Sequence, residues 1–332
     1  MRNMNLPQSV FIIECFLRDG LQHEENFVKT EAKIYFAEAF MDLGIKEMEI
    51  TSFANPKYAP QFRDSEDLLR SVSRKPGLIF HGLTVTEGAV KRAIKGFQEG
   101  WGPNSLGGMI STSDTHTRII TGMDCTDAFI KVKEWAKMAR QEGMGFIGCV
   151  GTFLGCPLEG PIPIERSFEF AKRFIDLGCN AVMYGDTTGE GTPDRVFDFF
   201  SQIISRFPQT VHIAHFHDTR GFGLANCWSA LQAGVTHFCS SLGGIGGQPA
   251  NIIDGVPIGG REIKYAPSPI TGNVCTEDLV VMFAEMNVST GINVENLLKL
   301  GRLAERVLGR RLQSKCVVTG RLSEGVKKPK AE

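Results

Sequence analysis

Apolar runs of strand length alternate with amphipathic stretches of helix length along almost the whole chain. Eight such units can be counted. Their strands are expected at about 10–17, 46–53, 78–85, 105–112, 145–153, 180–186, 210–217 and 237–244. Between them the period changes from two to that of a helix. In TEAKIYFAEAFMDLG, for instance, Ala32, Tyr35, Phe36, Ala39 and Phe40 form one stripe that stops at Gly44. Gly143, Gly178 and Gly234 close other helices in the same way, and the segments 165–177 and 193–207 follow the pattern, the latter with Pro193 in its first turn.

This alternation is what a parallel sheet with crossover helices requires. Eight units without a domain-breaking linker predict one α/β domain over 1–332, a closed (β/α)8 TIM barrel. A doubly wound sheet has fewer strands and a Gly-rich phosphate turn after the first, where this chain has RDGLQ. After the eighth strand, residues 243–273 are rich in Gly, Pro and Ile without a clean period, the signature of a functional lid. Helices at 276–287 and 293–308 then supply the eighth barrel helix and a C-terminal cap. Residues 322–332, with Lys327, Lys328 and Lys330, read as a disordered tail.

Composition narrows the partners. With 332 residues and 42% hydrophobic content the chain can bury one large core, and its 36 basic and 37 acidic residues nearly cancel. That balance argues against nucleic acid and anionic membranes and leaves a small molecule as the ligand. Nine cysteines lie singly in apolar runs, such as Cys15, Cys149, Cys179 and Cys239, and read as reduced and mostly packed. Neither a signal peptide nor a membrane span is apparent, so the cytoplasm is the expected compartment.

In a barrel enzyme the chemistry sits where strands end. Those positions hold Arg18 and Asp19; Glu49, Thr51 and Ser52; Asp186 and Thr187; and His215 and His217, with Asn273 following the lid. Two histidines two apart on a strand share a face, and in a barrel that face can be the interior. With the Asp19 carboxylate and the Asn273 carbonyl they make a mixed N/O set suited to Mg²⁺ or Mn²⁺ rather than to tetrahedral zinc. Hydrogen-bonded strand histidines and a structural Arg18–Asp19 ion pair are the plainer alternatives. Glu49 and Asp186 are equally readable as acceptors for Arg18 or ligand and as structural carboxylates, Glu277 as a site residue and as a helix cap, and the GGIGG glycines as loop flexibility. Cys156 reads as packing.

Taken together, RDGLQHE (18–24), EITSF (49–53), PKYAPQFRD (56–64), GCPLEG (155–160), GDTTGEGTP (185–193), HFHDTRGFGLAN (215–226) and GNVCTEDLV (272–280) resemble the hydroxymethylglutaryl-CoA lyase family of metal-dependent lyase and synthase barrels. HDT and GCPLEG resemble the lyases rather than the isopropylmalate or homocitrate synthases, which tend to have HND. The resemblance implies retro-Claisen cleavage of a 3-hydroxyacyl-CoA, with a divalent metal on Asp19, His215, His217 and Asn273. It implies Arg18 as the catalytic arginine that steadies the enolate, Glu49, Asp186 and Glu277 as supporting acids, Gln22 as a cofactor-binding position for the CoA thioester, and a homodimer.

One departure stands out. The family's lid reads GLGGCPY, with a cysteine that acts in proton transfer, whereas residues 244–250 read GIGGQPA and the lid looks longer. The amide of Gln248 orients ligand or water but carries no proton. Either His215 or a metal-bound water moves the proton, or the substrate is a relative such as citramalyl-CoA; a condensing synthase or aldolase and a non-catalytic CoA- or metal-binding protein are further alternatives. If the lid residue is what sets this chain apart, Gln248→Cys will raise hydroxymethylglutaryl-CoA cleavage by about tenfold or more, the low end of a typical acid–base contribution. An unchanged rate in a steady-state assay assigns the difference elsewhere.

Overall fold

Eight parallel strands close into a barrel: β1 (Phe11–Glu14), β2 (Glu47–Ser52), β3 (Ile79–Leu83), β4 (Ser105–Ser111), β5 (Gly145–Gly151), β6 (Ala181–Asp186), β7 (Val211–Phe216) and β8 (His237–Ser240). Each pairs with its sequence neighbour, and β8 pairs with β1 to complete the ring. This computed structural model describes residues 6–57, 59–179, 181–247, 252–253, 256–257 and 272–323. Gln248, most of the lid, and residues 324–332 of the expected tail therefore lie outside the described residues.

The helices around the barrel are α1 (Thr30–Asp42), α2 (Ser65–Ser71), α3 (Glu87–Gln98), α4 (Asp114–Thr121), α5 (Cys125–Gln141), α6 (Ile164–Asp176), α7 (Pro193–Arg206), α8 (Gly223–Gln232) and α9 (Thr276–Glu285), followed by α10 (Val294–Leu308) and the short α11 (Cys316–Thr319). The glycines expected to stop helices do so with left-handed backbone: φ is 98° at Gly44, 81° at Gly143, 83° at Gly178 and 101° at Gly234. No helix among the described residues is long and apolar enough to cross a membrane.

Strand alternation sorts the side chains into two cores. Ala214 and Phe216 of β7 face outward into the layer between sheet and helices, where Phe153, Tyr184, Phe199 and Phe200 pack as a group of fully buried rings. Each buried phenylalanine there contributes roughly 1.5–3 kcal/mol. Ile213 of the same strand faces inward with Ile13, Cys15, Ile147, Met183 and Cys239, a small apolar plug that floors the lumen. His215, two residues beyond Ile213, stands directly above that plug.

The largest departure from the expected elements lies at the first strand. The run 10–17 was expected to be all strand, but β1 stops at Glu14, and Phe16–Gly20 form a π-helical turn in which the Gly20 amide donates to the Cys15 carbonyl at 3.0 Å. Phe16 leaves the sheet to pack on Phe36 and Phe40 of α1, at ring distances of 4.7 and 6.0 Å. A short apolar run is compatible with either geometry, and tertiary packing decided between them. Likewise the run 237–244 is strand only to Ser240, and Leu242–Gly244 form a 3-10 turn. Residues Gly155–Cys156 and Gly160–Pro161 make an unexpected antiparallel hairpin, in which Cys156 is buried.

Glu14 explains why β1 ends where it does. Its carboxylate is 1% exposed and accepts the Phe16 amide and the Leu242 amide, each at 2.9 Å, and the Thr276 hydroxyl at 2.7 Å. One side chain thus ties β1, the turn after β8 and the start of α9. Burial outweighs these hydrogen bonds and raises the Glu14 pKa from 4.5 to about 8. A carboxyl whose pKa is raised on folding stabilises the fold fully below its unfolded value, and that stability is lost as pH rises through the folded value. The melting temperature should therefore fall between pH 4.5 and pH 8 in the wild type and fall less steeply in Glu14→Gln, as read by circular dichroism at several pH values.

Candidate active site

The π-helical turn presents Arg18 and Asp19 to the lumen mouth, and the in-facing side of β7 brings His215 and His217 to the same point. The two Nε2 atoms are 3.0 Å apart, and the Asp19 Oδ2 lies 3.4 Å from that of His215 and 3.3 Å from that of His217. Two donors about 2.1 Å from one ion are about 3.0 Å apart at a right angle and about 3.4 Å apart at the tetrahedral angle, so these three atoms are spaced as the corners of a coordination shell. Asp19, His215 and His217 are 4%, 5% and 6% exposed.

Asn273 reaches this group from the far side of the lid, through its backbone pairing with His217. Its Nδ2 donates to the Ile245 carbonyl at 3.0 Å. Its Oδ1 is buried and has no hydrogen-bond partner among the described residues. Leaving a carbonyl oxygen so costs about 1–3 kcal/mol unless a cation or donor meets it. This orphaned oxygen, on a residue bridged to His217, together with two imidazoles and a carboxylate is a donor set that fits a hard divalent metal.

The supporting contacts set charge and tautomer. His217 Nδ1 donates to the Thr187 carbonyl at 2.5 Å, which leaves the Nε2 lone pair for a metal. Burial would raise the Asp19 pKa, but Arg18 and the two imidazoles hold it well below the usual carboxylate range. Burial also opposes charge on Arg18, and the Glu49 and Asp19 carboxylates more than restore it. Arg18 Nε donates to Glu49 Oε2 at 2.5 Å, its Nη2 meets the same oxygen, and its Nη1 lies 3.2 Å from Asp19 Oδ1. The Arg18–Asp19 pair is thus one half of a bridge that also engages β2.

Other expected site residues hydrogen-bond outside the group formed by Asp19, His215 and His217. Asp186 ends β6, but its oxygens accept the backbone amides of Glu190 and Gly191, at 2.7 and 2.9 Å, rather than Arg18. Its burial raises its pKa. Glu277, in the first turn of α9, accepts the Gly243 amide at 2.8 Å and the Cys275 thiol at 3.0 Å, so it anchors the root of the lid. Burial pushes its pKa up to about 7. Gln22 lies on the turn Leu21–His23, its Nε2 3.3 Å from His23 Nε2. The glycines of the lid root are required rather than merely permissive. Gly246 has φ 94°, and a Cβ there would stand 2.4 Å from the Asp19 carbonyl oxygen.

A family model described as HMGL-like matches residues 9–304. The chain belongs to the HMGL-like family. It is 32% identical over 312 residues to the hydroxymethylglutaryl-CoA lyase YngG of Bacillus subtilis, covering 94% of this chain and 97% of that protein. It is 34% identical over 311 residues to the mitochondrial hydroxymethylglutaryl-CoA lyase of Bos taurus, covering 93% and 89%. Among solved structures, an HMG-CoA lyase from Acinetobacter baumannii in complex with coenzyme A and 3-methylmalate superposes with a TM-score of 0.84 at 30% identity, covering 97% of this chain and 98% of that one. The Bacillus subtilis HMG-CoA lyase superposes with a TM-score of 0.85 at 31% identity, covering 95% and 99%. This HMGL-like chain is accordingly a carbon–carbon lyase, metal-dependent and acting on an acyl-CoA.

Three residues of this lyase's site escaped the sequence reading. His23 is half-buried, and its ring, its pKa lowered by burial, feels the charges of Asp19, His217 and Arg18. Its place in the RDGLQHE run, one turn past Asp19, was the available signal. Cys15 and Cys239 pack in the lumen floor and also lie against the ring of His215. Only the register of β1, β8 and β7 reveals that. Because Asn273 and Gly246 shape the lid side of the metal set, Asn273→Ala and Gly246→Ala should each weaken Mn²⁺ binding by roughly 10–100-fold in calorimetric titration. Gly246→Ala should also lower stability by roughly 1–3 kcal/mol, from strained backbone and the clash with Asp19.

Proposed function

We propose that this lyase cleaves a hydroxymethylglutaryl-CoA-type 3-hydroxyacyl-CoA to acetyl-CoA and a keto acid, with Mg²⁺ or Mn²⁺ held by Asp19, His215, His217 and Asn273. The observation that carries the reading is the convergence of Asp19, His215 and His217 with the buried Arg18 guanidinium at one barrel mouth. When bound, the metal supplies Lewis acidity that lowers the pKa of a substrate hydroxyl. A water takes the C3 hydroxyl proton, the hydroxyl oxygen becomes the carbonyl of the keto product as the C2–C3 bond breaks, and the electron pair of that bond passes to C2 and the thioester oxygen before C2 takes a proton back from water.

Arg18 is the residue that meets the developing negative charge. Of its five N–H donors, those not directed at Glu49 and Asp19 remain for an enolate oxygen. Glu49 holds the guanidinium in place. His215 acts as a ligand: its Nε2 is committed to the group formed by Asp19 and His217, which argues against a second role as proton carrier. Asp186 and Glu277 act by position, shaping the loop after β6 and the lid root. Gln248 orients ligand or water from the lid, and Gln22 contacts the thioester side.

The condensing and non-catalytic alternatives are not favoured by relatives that are named lyases. The cytoplasm is the proposed compartment, supported by nine unpaired cysteines, which suit a reducing environment. A homodimer is the proposed assembly, since barrels of this kind commonly pair.

Chelator-stripped protein incubated with hydroxymethylglutaryl-CoA and with citramalyl-CoA, with and without Mg²⁺ or Mn²⁺, should release acetyl-CoA by mass only when metal is added, and faster from the first substrate. Release from citramalyl-CoA alone would move the substrate assignment, and release from neither would sink it. Arg18→Gln should lower kcat by about 10²–10³ while Mn²⁺ binding persists. A variant with wild-type kcat removes Arg18 from the chemistry.

A further inference from the structure

Beneath the metal set, the lumen holds a second group of ligand atoms that the lyase reaction does not use. Cys15, Cys239 and His215 each offer one donor atom, all within 4.8 Å of one another, and all three residues are buried. They come from three neighbouring strands at one level of the barrel. Cys239 of β8 is the register partner of His215 on β7, and the Cys15 amide, just past β1, donates to the Ser240 carbonyl at 2.8 Å. Ile13, Ile147, Met183 and Ile213 wall the group. The Nδ1 of His215 is buried, and the Cys239 thiol stands against the same ring. Its Nε2 faces Asp19 and His217, so the second nitrogen is left for the thiol side.

We propose that Cys15, Cys239 and the Nδ1 of His215 form a binding site for a thiophilic divalent cation of the Zn²⁺ or Cd²⁺ type, and that its occupancy disarms the hard-metal site above. Two thiolates and an imidazole select such ions over Mg²⁺ and Mn²⁺. Zn–S and Zn–N bonds of about 2.3 and 2.0 Å put tetrahedral donors about 3.5–3.8 Å apart, so the three atoms need close by only about 1 Å to enclose an ion. The two thiol protons leave on binding, and a dication with two thiolates and a neutral imidazole carries no net charge, which suits the apolar walls. The antagonism follows from the imidazole itself. A neutral ring has one lone pair, so an ion on Nδ1 places the proton on Nε2, which then no longer serves as a ligand to the metal of Asp19 and His217. The binding claim stands whether or not the proposed substrate is right.

The test is a titration of reduced, chelator-stripped full-length protein with Cd²⁺. Thiolate-to-Cd²⁺ charge-transfer absorption reads the lower site, and electron paramagnetic resonance of Mn²⁺ reads the upper one. The wild type should show absorption that the Cys15→Ser/Cys239→Ser double variant lacks, and Cd²⁺ should weaken its Mn²⁺ binding by about tenfold or more, an effect absent from the double variant. Equal absorption in both proteins, or equal displacement of Mn²⁺ by Cd²⁺ in both, overturns the site. Should the double variant not fold, Cys239→Ala is compared with Cys316→Ser, a change on α11 away from the lumen. Loss of the absorption in the first and its retention in the second is the expected result, and equal spectra overturn the proposal.

Discussion

The carboxylate of Asp19 is the constraint on which the mouth of this barrel depends. It is a buried charge, and a buried charge is tolerated only when opposite charge and hydrogen bonds surround it. Here Arg18 stands on one side and the Nε2 atoms of His215 and His217 on the other. The arrangement keeps Asp19 ionised, aims both imidazoles at one point, and sets the guanidinium beside them. Because Arg18 also engages Glu49, the same cluster joins the turn after β1 to β2 and β7. Two carboxylates, a guanidinium and two imidazoles are thereby parts of a single electrostatic unit.

That unit requires Asp19 to leave the strand that delivers it. Had β1 continued to residue 17, its strand geometry would run past the mouth. Glu14 ends it by drawing the Phe16 and Leu242 amides to one carboxyl, and Phe16 turns out to pack against α1. The π-helical turn then places Asp19 over the lumen, with its backbone carbonyl so close to Gly246 that no side chain fits between them. The lid root, held below by Glu277 and above by this contact, is built onto the metal turn itself.

His215 joins the upper and lower halves of the lumen. One of its nitrogens belongs to the metal set and the other faces a pair of thiols, so its tautomer is a property of both halves at once. In His217 the Thr187 carbonyl settles the same question with a hydrogen bond. The two histidines of one HxH motif are thus supported by different chemistry, a carbonyl for one and sulfur for the other.

Much of this was legible along the chain. Periodicity sufficed for eight βα units and for the glycines that stop their helices, because alternation and helical stripes are local consequences of which residues must meet the core. It also placed His215 and His217 on one face, since side chains two apart on a strand share a side. Motifs carried Asp19, Arg18, Glu49 and Asn273 to the site. Local pattern did not reveal that Phe16 and Leu17 belong to a turn rather than a strand, that Asp186 serves its own loop, or that Glu277 anchors the lid root. Nor did it show that Cys15 and Cys239 meet His215. Each of these depends on which residues from distant parts of the chain arrive beside it, and the closure of the ring between β8 and β1 is what brings them together. Sequence alone determined the barrel and the residue types at its mouth; burial, register and the choice of hydrogen-bond partner, which exist only once the ring has closed, decided which atoms meet there and what stands behind them.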